Sequence, residues 1–335
     1  MPKKPSASRH RLRAFVLLAL VAVAVLACLI VAPYRPAQLP VTVEVAPNQS
    51  LSTVAASLDR AGAVRSGTLF LLLAKVSGAA SEIKAGDYRM IKPLSMLDWL
   101  AKLRKGEKSE YVVTIPEGFT FGQFRAMLQQ HPALRHDTAG WSEKRILQKL
   151  GADGSHAEGL FFPDTYYFLK GASDLDVLKR AYDKMQSELE RSWQIRAGDL
   201  PYQSPYEMLI LASLVEKETG HVEDRPQIAG VFINRLRIGM RLQTDPAVMY
   251  GVSPDFRGPL NRRQLRADTP YNTYTRAGLP PTPIALPGRA ALEAAANPGA
   301  TKALYFVARG DGSSHFSETL DEHNSAVHEY ILGKK

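Results

Sequence analysis

An uncharged, mainly apolar run of 21 residues, Ala14 to Tyr34, constrains this chain more than any other feature. At about 1.5 Å of rise per residue, such a helix crosses a hydrocarbon core of roughly 30 Å. No acidic residue precedes the run, and five basic residues do: Lys3, Lys4, Arg9, Arg11 and Arg13. By the positive-inside rule, residues 1–13 are a cytoplasmic basic segment, 14–34 are a transmembrane helix, and the remainder is exported.

A cleaved signal peptide is the alternative interpretation of the same run. The run exceeds the usual apolar region of such peptides, and no clear A-x-A cleavage site follows it. Leu26-Ala27-Cys28 faintly resembles a lipoprotein box, but Leu29 to Val31 continue the apolar sequence, which favours a membrane-buried Cys28. Because Cys28 is the only cysteine, the exported part is predicted to have neither a disulfide nor a cysteine metal site.

The formal charge of +9 is weak evidence for nucleic-acid binding. Removing the five basic residues before the apolar run leaves 37 basic against 33 acidic residues, or +4. That excess is compatible with an acidic polymer outside the cell. The chain has no G-x-S-x-G, H-E-x-x-H, P-loop or dinucleotide motif, and the spacing of His221, Glu216 and Glu223 matches no metal site. We therefore predict no metal, no cofactor and no nucleic-acid partner.

Periodicity and capping residues predict an α+β chain with a small mixed module at 41–108. The module has strands at Val41–Val45 and Tyr88–Ile91 and helices capped by Ser50, Ser66 and Ser95. Its predicted core includes one apolar series at near-helical spacing: Leu94, Met96, Leu97, Leu100 and Leu103. A strand–turn–helix pattern recurs before Phe121 to Leu128, and the arrangement resembles the peptidoglycan-binding LysM module.

Residues 109–150 are predicted to connect this module, through a strand and helices, to a larger and mainly helical domain at 151–335. Within that domain the helices and one strand are expected at Ser173–Ile195, Ser204–Thr219, Arg225–Ile238, Arg289–Ala296, Ala303–Ala308 (the strand) and Thr319–Leu332. Residues 240–287 are expected to form loops.

Glu216 is a candidate general acid because it follows an apolar stretch of the helix at Tyr206–Thr219. Burial raises a carboxyl pKa and can keep the group protonated near neutral pH. The alternative is an ordinary ion pair at a helix end. His315 and His323 are interpreted as capping or surface residues.

Polar and aromatic residues in and around the predicted loops are suited to sugars and to peptide carboxylates, although turn formation explains some of them equally well. The candidate substrate-binding residues are Glu158, Asp164, Tyr166, Asn234, Arg235, Gln243, Thr244, Asp245, Tyr271, Asn272, Thr273 and Tyr274.

Six strings in this order resemble the endolytic murein transglycosylase family. They begin at Glu158 (EGLFFPDTY), Ala212 (ASLVEKETG), Val231 (VFINRLRIGMRLQTDP), Tyr271 (YNTY), Gly278 (GLPPTPI) and Tyr305 (YFVA). The resemblance implies an inner-membrane enzyme with its catalytic domain on the periplasmic side. It implies endolytic cleavage between N-acetylmuramic acid and N-acetylglucosamine, 1,6-anhydromuramyl ends, a role in terminating glycan elongation, and peptidoglycan synthases as partners. It places the catalytic role on the first glutamate of the E-K-E string, Glu216.

Two other functions remain open at this point. A muramidase-type hydrolase would need a second carboxylate to activate water, and Glu218 and Glu223 are candidates by proximity in sequence. A noncatalytic peptidoglycan-binding scaffold for wall-synthesis enzymes would keep the anchor and the LysM-like module and use Glu216 structurally.

Overall fold

The computed structural model describes residues 7–154, 156–256 and 258–333 and divides the chain into two compact units, one ending at Tyr111 and the other beginning at Val112. The predictions for residues 1–6 and 334–335 lie outside the described residues. The larger domain was predicted to begin near Gly151, where the composition changes, but the second unit begins earlier. The segment around Ile115 belongs to it because the Ile115 N–H donates to the Asp164 carbonyl oxygen at 2.9 Å. The functional roles assigned to the segments stay predictions.

The N-terminal helix α1 spans Ala7–Val31. Its Leu12–Val31 segment is long and apolar enough to cross a membrane, with a mean hydropathy of 3.3, and both a membrane anchor and a signal sequence have these properties. The helix stops before Tyr34, the predicted end, because Pro33 disfavours helical backbone at the residue before it. Tyr34 instead forms a bridge with Leu94.

The first unit contains a two-stranded antiparallel sheet and three short helices after α1. Val43 of the first strand faces Tyr88 of the second. The elements are β1 (Val41–Val45), α2 (Leu51–Arg60), α3 (Gly67–Val76), β2 (Gly86–Met90) and α4 (Met96–Lys105). The predicted caps Ser50, Ser66 and Ser95 are confirmed, since each side chain accepts a backbone N–H of the first turn.

Helix α4 supplies much of the core of the first unit. Met96, Leu100 and Leu103 are buried as predicted, together with Trp99, whose indole N–H donates to the Ala63 carbonyl oxygen at 2.9 Å. The prediction for Leu97 was wrong, because its side chain is 43% exposed. The buried residues follow i, i+3, i+4, i+7 spacing from Met96, and Leu97 lies off that stripe.

The second unit is mainly helical, as predicted. Its elements, the first of which crosses the boundary, are β3 (Glu110–Thr114), α5 (Phe121–Gln130), α6 (Glu143–Leu150), β4 (Thr165–Leu169), α7 (Asp174–Gln194), α8 (Pro205–Glu218), α9 (Arg225–Arg237), α10 (Asp245–Val252), α11 (Arg262–Arg266), α12 (Arg289–Ala296), β5 (Tyr305–Ala308), β6 (Ser314–Ser317) and α13 (Leu320–Val327). Strand β3 pairs with β4, and β5 pairs with β6.

Helix α8 is the central helix of the second unit. Ser204 caps it, Pro205 occupies its first turn, where no N–H partner is lost, and every residue from Met208 to Glu216 is buried. Helices α7, α9, α10 and α12 contact it. The apolar stretch therefore ends inside the protein, and the residues at the C-terminal end of α8 lie where other elements converge.

The prediction of loops throughout residues 240–287 was wrong, since α10 and α11 lie there. Helix α10 begins at Asp245, with Pro246 in its first turn, and buries Ala247 and Val248. Helix α11 begins with a capping box formed by Asn261 and Gln264. Proline is favourable in a first helical turn, so the Asp245-Pro246 pair begins a helix here and does not form a turn.

Candidate active site

The Glu216 side chain is 5% exposed, and both of its carboxyl oxygens are engaged within the protein. Arg225 Nη2 donates to Oε1 at 2.9 Å, and the Gly288 N–H donates to Oε2 at 2.9 Å. Burial raises the pKa of this carboxyl, and the bonds from Gly288 and Arg225 oppose that rise. The carboxyl thus has the raised pKa that the sequence predicts, but it forms an ion pair with a buried arginine.

A cleft of about 480 Å³ lies beside this ion pair. Its polar rim includes Glu117 and Lys217, and its apolar wall includes Phe119, Met249 and Tyr250. We call it the Glu117 cleft. The Glu117 carboxylate lies 3.7 Å from Arg225 Nη1, so one guanidinium serves two carboxylates.

Glu218, two residues further along α8, lines a second cleft of about 460 Å³. The other residues that line this Glu218 cleft are Arg235, Leu242, Gln243, Asp245, Tyr274, Tyr305, Phe306, Leu320, His323 and Asn324. Two residues along a helix turn a side chain by about 200°, which explains why Glu216 and Glu218 face different surroundings.

The Glu218 carboxyl is a suitable proton donor at neutral pH. Burial raises its pKa most, the Thr244 side chain lowers it, the nearby carboxylate of Asp245 raises it and Arg235 lowers it, so that the pKa lies at about 7. A group with this pKa is present in comparable amounts in its protonated and ionised forms at pH 7. It can therefore both donate and accept a proton, as acid/base catalysis requires.

Four of the predicted substrate-binding residues lie in the Glu218 cleft: Arg235, Gln243, Asp245 and Tyr274. Tyr274 donates its hydroxyl to Asp245 Oδ1 at 2.6 Å. The Arg235 guanidinium is held by the carbonyl oxygens of Leu304 at 2.6 Å and Leu242 at 2.8 Å. The structure thus brings Glu218 together with these four residues, of which Tyr274 is the most distant in the sequence, 56 positions further along.

Another group of predicted residues holds the loop that carries Tyr274. The buried Thr273 accepts the Thr244 N–H on its hydroxyl at 3.0 Å and donates to the Thr244 carbonyl oxygen at 3.2 Å. Asn272 donates to the carbonyl oxygens of Ala267 and Leu265. Tyr271 shares a hydrogen bond with Thr282 at 2.8 Å. These contacts position the cleft wall.

The remaining predicted residues lie elsewhere in the second unit. Asn234 donates to the carbonyl oxygens of Thr301 and Ala303, and Tyr166 donates to that of Phe162. Asp164 pairs with Lys184. None of these three lines either cleft in the described residues, so their part in substrate binding stays a prediction.

Glu158 is buried beneath the Glu117 cleft. It accepts the Phe121 N–H at 2.9 Å and the Tyr250 hydroxyl at 3.1 Å. Burial raises its pKa to about 7. It connects the first turn of α5 to α10, and both elements contribute residues to the cleft.

Sequence reasoning missed several residues of the two clefts. His323, interpreted as a capping or surface residue, lines the Glu218 cleft and stacks on Tyr305 with ring centroids 5.2 Å apart. The Arg235 guanidinium carbon lies 5.2 Å from the centre of the Tyr305 ring. Glu117 was also missed. Tyr305 could have been found from the YFVA string, which begins with it. Nothing in the local sequence distinguishes Glu117 from other glutamates.

This chain is similar to known proteins in both sequence and fold. The model of the YceG-like family matches residues 43–329. The endolytic murein transglycosylase of Bacillus subtilis is 31% identical over 88% of this chain and 86% of its own length. That of Streptococcus pneumoniae strain D39 is 30% identical over 88% of this chain, which spans only 59% of that longer relative.

A solved structure has a similar fold. The 2.6 Å crystal structure of the yceG-like protein lmo1499 of Listeria monocytogenes superposes with a TM-score of 0.55 at 28% identity, over 85% of this chain and 98% of that one. The family match includes parts of both units and contains all six motifs. The resemblance that these motifs carry is thereby confirmed, and the chain belongs to the YceG-like family, whose curated members similar to it are named endolytic murein transglycosylases.

Proposed function

We propose that this chain is a lytic transglycosylase that cleaves peptidoglycan glycan strands in the Glu218 cleft, with Glu218 as its acid/base. One observation carries the proposal. A carboxyl whose pKa is raised to about 7 lies in an open cleft together with a guanidinium, an amide, a carboxylate and aromatic rings. The names of the similar proteins supply the substrate class.

Glu218 is a better candidate than Glu216, to which the sequence resemblance assigned the catalytic role. A general acid must reach the leaving oxygen, and the Glu216 carboxyl is enclosed with Arg225 and Gly288 on its two oxygens. Glu218 lines a cleft that also holds four of the predicted substrate-binding residues. Glu216 is then a structural residue beside the site.

One carboxyl is sufficient for the proposed reaction. Glu218 gives its proton to the glycosidic oxygen as the bond from that oxygen to muramyl C1 breaks, and N-acetylglucosamine leaves with a free hydroxyl. The Glu218 carboxylate then takes the proton of the muramyl C6 hydroxyl as O6 bonds to C1. No water is consumed, Glu218 ends protonated, and the product carries a 1,6-anhydro ring.

Arg235, Gln243 and Tyr274 are proposed to orient the sugars. An amide and a hydroxyl can bond to acetamido groups and ring hydroxyls, and a guanidinium can bond to carboxylates. The Arg235 guanidinium donates to four oxygens, which hold it in place. They are the carbonyl oxygens of Leu304, Arg241 and Leu242 and the side-chain oxygen of Gln243. A preorganised donor loses little freedom when the substrate binds.

The muramidase-type alternative has a specific candidate in Asp245, which lies in the same cleft. A second carboxylate could activate water and give an ordinary reducing end. The earlier candidate Glu223 is unsuitable, because its side chain is 79% exposed and pairs with His221 at 3.3 Å. We favour the anhydro product because Asp245 already accepts the Tyr274 hydroxyl.

Mass spectrometry of the products decides between these reactions. The full chain, extracted in detergent, is incubated with purified sacculi, and we expect fragments released from within strands that end in 1,6-anhydromuramic acid. Muropeptides heavier by one water, without anhydro species, would indicate a hydrolase. If the sacculi bind the protein but no glycan is released, the scaffold function would replace the enzyme.

We also propose that α1 anchors the chain in the inner membrane, with the second unit on the periplasmic side, where the enzyme would shorten or terminate strands made by neighbouring synthases. The basic residues before Leu12 and the apolar helix support this orientation. Retention in the membrane pellet after an alkaline wash tests the anchor, and release would favour a signal sequence. Glycan binding by the LysM-like module stays a prediction.

A further inference from the structure

The proposed reaction leaves the Glu117 cleft without a role, although a buried chain of charges extends to its rim. Glu216 and Arg225 have side chains that are 5% and 6% exposed, and Arg225 reaches from Glu216 to Glu117, whose side chain is 47% exposed. The chain therefore begins in the interior and ends at a carboxylate that solvent can reach.

The Glu117 carboxylate lies against the backbone of Gly288. A Cβ atom added at Gly288 would lie 1.8 Å from Glu117 Oε1, so Glu117 rests against a glycine that leaves room for it. The N–H of the same glycine binds Glu216. Burying an arginine between carboxylates carries a large desolvation cost, and apolar residues of similar volume are often at least as stable. A function other than stability is therefore favoured for the buried Arg225, namely to position the Glu117 carboxylate.

The other charge at the rim has the opposite sign. Lys217 lines the cleft and donates to the Gly118 carbonyl oxygen at 3.1 Å. The same cleft is also lined by apolar side chains, which include Phe119, Met249 and Tyr250. A ligand that matches this surface carries an ammonium group and a carboxylate on a chain with small apolar parts.

Residues that line the Glu117 cleft are chain neighbours of residues that line the Glu218 cleft. Lys217 lines the first and Glu218 the second, and Pro246 lines the first and Asp245 the second. The end of α8 and the start of α10 therefore contribute residues to both clefts. Consecutive Cα atoms are about 3.8 Å apart, so the backbone positions that line the two clefts are close together there.

We propose that the Glu117 cleft binds the zwitterionic stem peptide attached to the glycan strand, with Glu117 bonding to its free ammonium group and Lys217 to one of its carboxylates. This rests on the proposed function, because the strand must lie in the Glu218 cleft. The site would then select strands whose stems keep a free amino group, which cross-linking removes.

The test compares three forms of one substrate with the full chain in detergent. Purified glycan strands are used with their stems intact, with the stem amino groups acetylated, and with the stems removed by an amidase. We expect KM to be about tenfold lower for intact strands than for acetylated strands, which lose the bond to Glu117, and lower still relative to amidase-treated strands, which also lose the bond to Lys217. Equal KM values for intact and acetylated strands would overturn the proposal.

Glu117→Gln provides the second arm. It should raise KM about tenfold on intact strands and leave KM on amidase-treated strands unchanged. Glu223→Gln removes the same charge from an exposed residue that lines neither cleft in the described residues, and it should change neither value. An equal rise on both substrates for Glu117→Gln would make its role structural and overturn the proposal.

Two safeguards keep the outcomes separate. Should Glu117→Gln fail to fold, the wild-type comparison of intact and acetylated strands still decides. If the wild-type chain cleaved none of the three substrates, the proposed function would fail, whereas cleavage of all three with one KM would refute the stem-peptide site alone.

Discussion

Glu218→Gln is expected to lower kcat on purified glycan strands by about 10²–10⁴-fold, because glutamine keeps the size of the side chain but can neither give nor take the proton. We place the effect near the upper end, since one residue performs both transfers. Melting curves should show a folded protein, because removing a partly buried carboxyl removes a desolvation cost. The assay is the release of glycan fragments under single-turnover and steady-state conditions.

The matched control lies two residues away on the same helix. Glu216→Gln removes the same charge but should leave kcat within about tenfold of wild type, because the Glu216 carboxyl is enclosed with Arg225 and Gly288. If Glu216→Gln were the inactive variant and Glu218→Gln the active one, both well folded, the original assignment from the sequence would be correct. The Glu218 cleft would then lose its catalytic role.

Arg225→Met is expected to cost about 3–5 kcal/mol of folding free energy, because it leaves the buried carboxylate of Glu216 without its partner. The side chains of Arg225 and Glu216 are 6% and 5% exposed and 2.9 Å apart, which is the geometry in which an unpaired charge is most costly. Denaturant unfolding in detergent, followed for the second unit, measures the change.

A double variant separates this cause from simple loss of packing. Glu216→Gln combined with Arg225→Met should be more stable than Arg225→Met alone, since the uncompensated charge is gone. If the folding free energy of Arg225→Met were within about 1 kcal/mol of the wild-type value, the ion pair of Arg225 and Glu216 would contribute little to stability. Such a pair would also not be expected to position Glu117.

Short-range features of the fold could be predicted from the sequence. Ser50, Ser66, Ser95 and Ser204 begin helices because their hydroxyls satisfy an N–H of the first turn, and that signal is local. The start of α10 at Asp245 could not be predicted from local sequence, because an Asp-Pro pair fits a turn and a first helical turn equally well. Tertiary burial of Ala247 and Val248 decides it.

The site depended on contacts between distant residues. The helix pattern shows that Glu216 and Glu218 point in different directions. It does not show that Glu216 contacts Arg225 and Gly288. Nor does it show that Glu218 shares a cleft with Arg235 and Tyr274. Those partners come from α9, from the segment before α12 and from the loop after α11. The family motifs brought the correct region of the chain to attention, and only the packing of these segments distinguishes an enclosed ion pair from a carboxyl in a cleft.

The dependence of kcat/KM on pH tests the central claim, that the carboxyl in the Glu218 cleft is the acid, most directly. The acid must be protonated in the free enzyme, so kcat/KM should be level below its pKa and fall as pH rises through about 7, where burial places the pKa of Glu218. Glu216→Gln should keep this midpoint. A midpoint near 4.5, the ordinary value for a glutamate, or a profile that Glu216→Gln abolishes, would contradict the account.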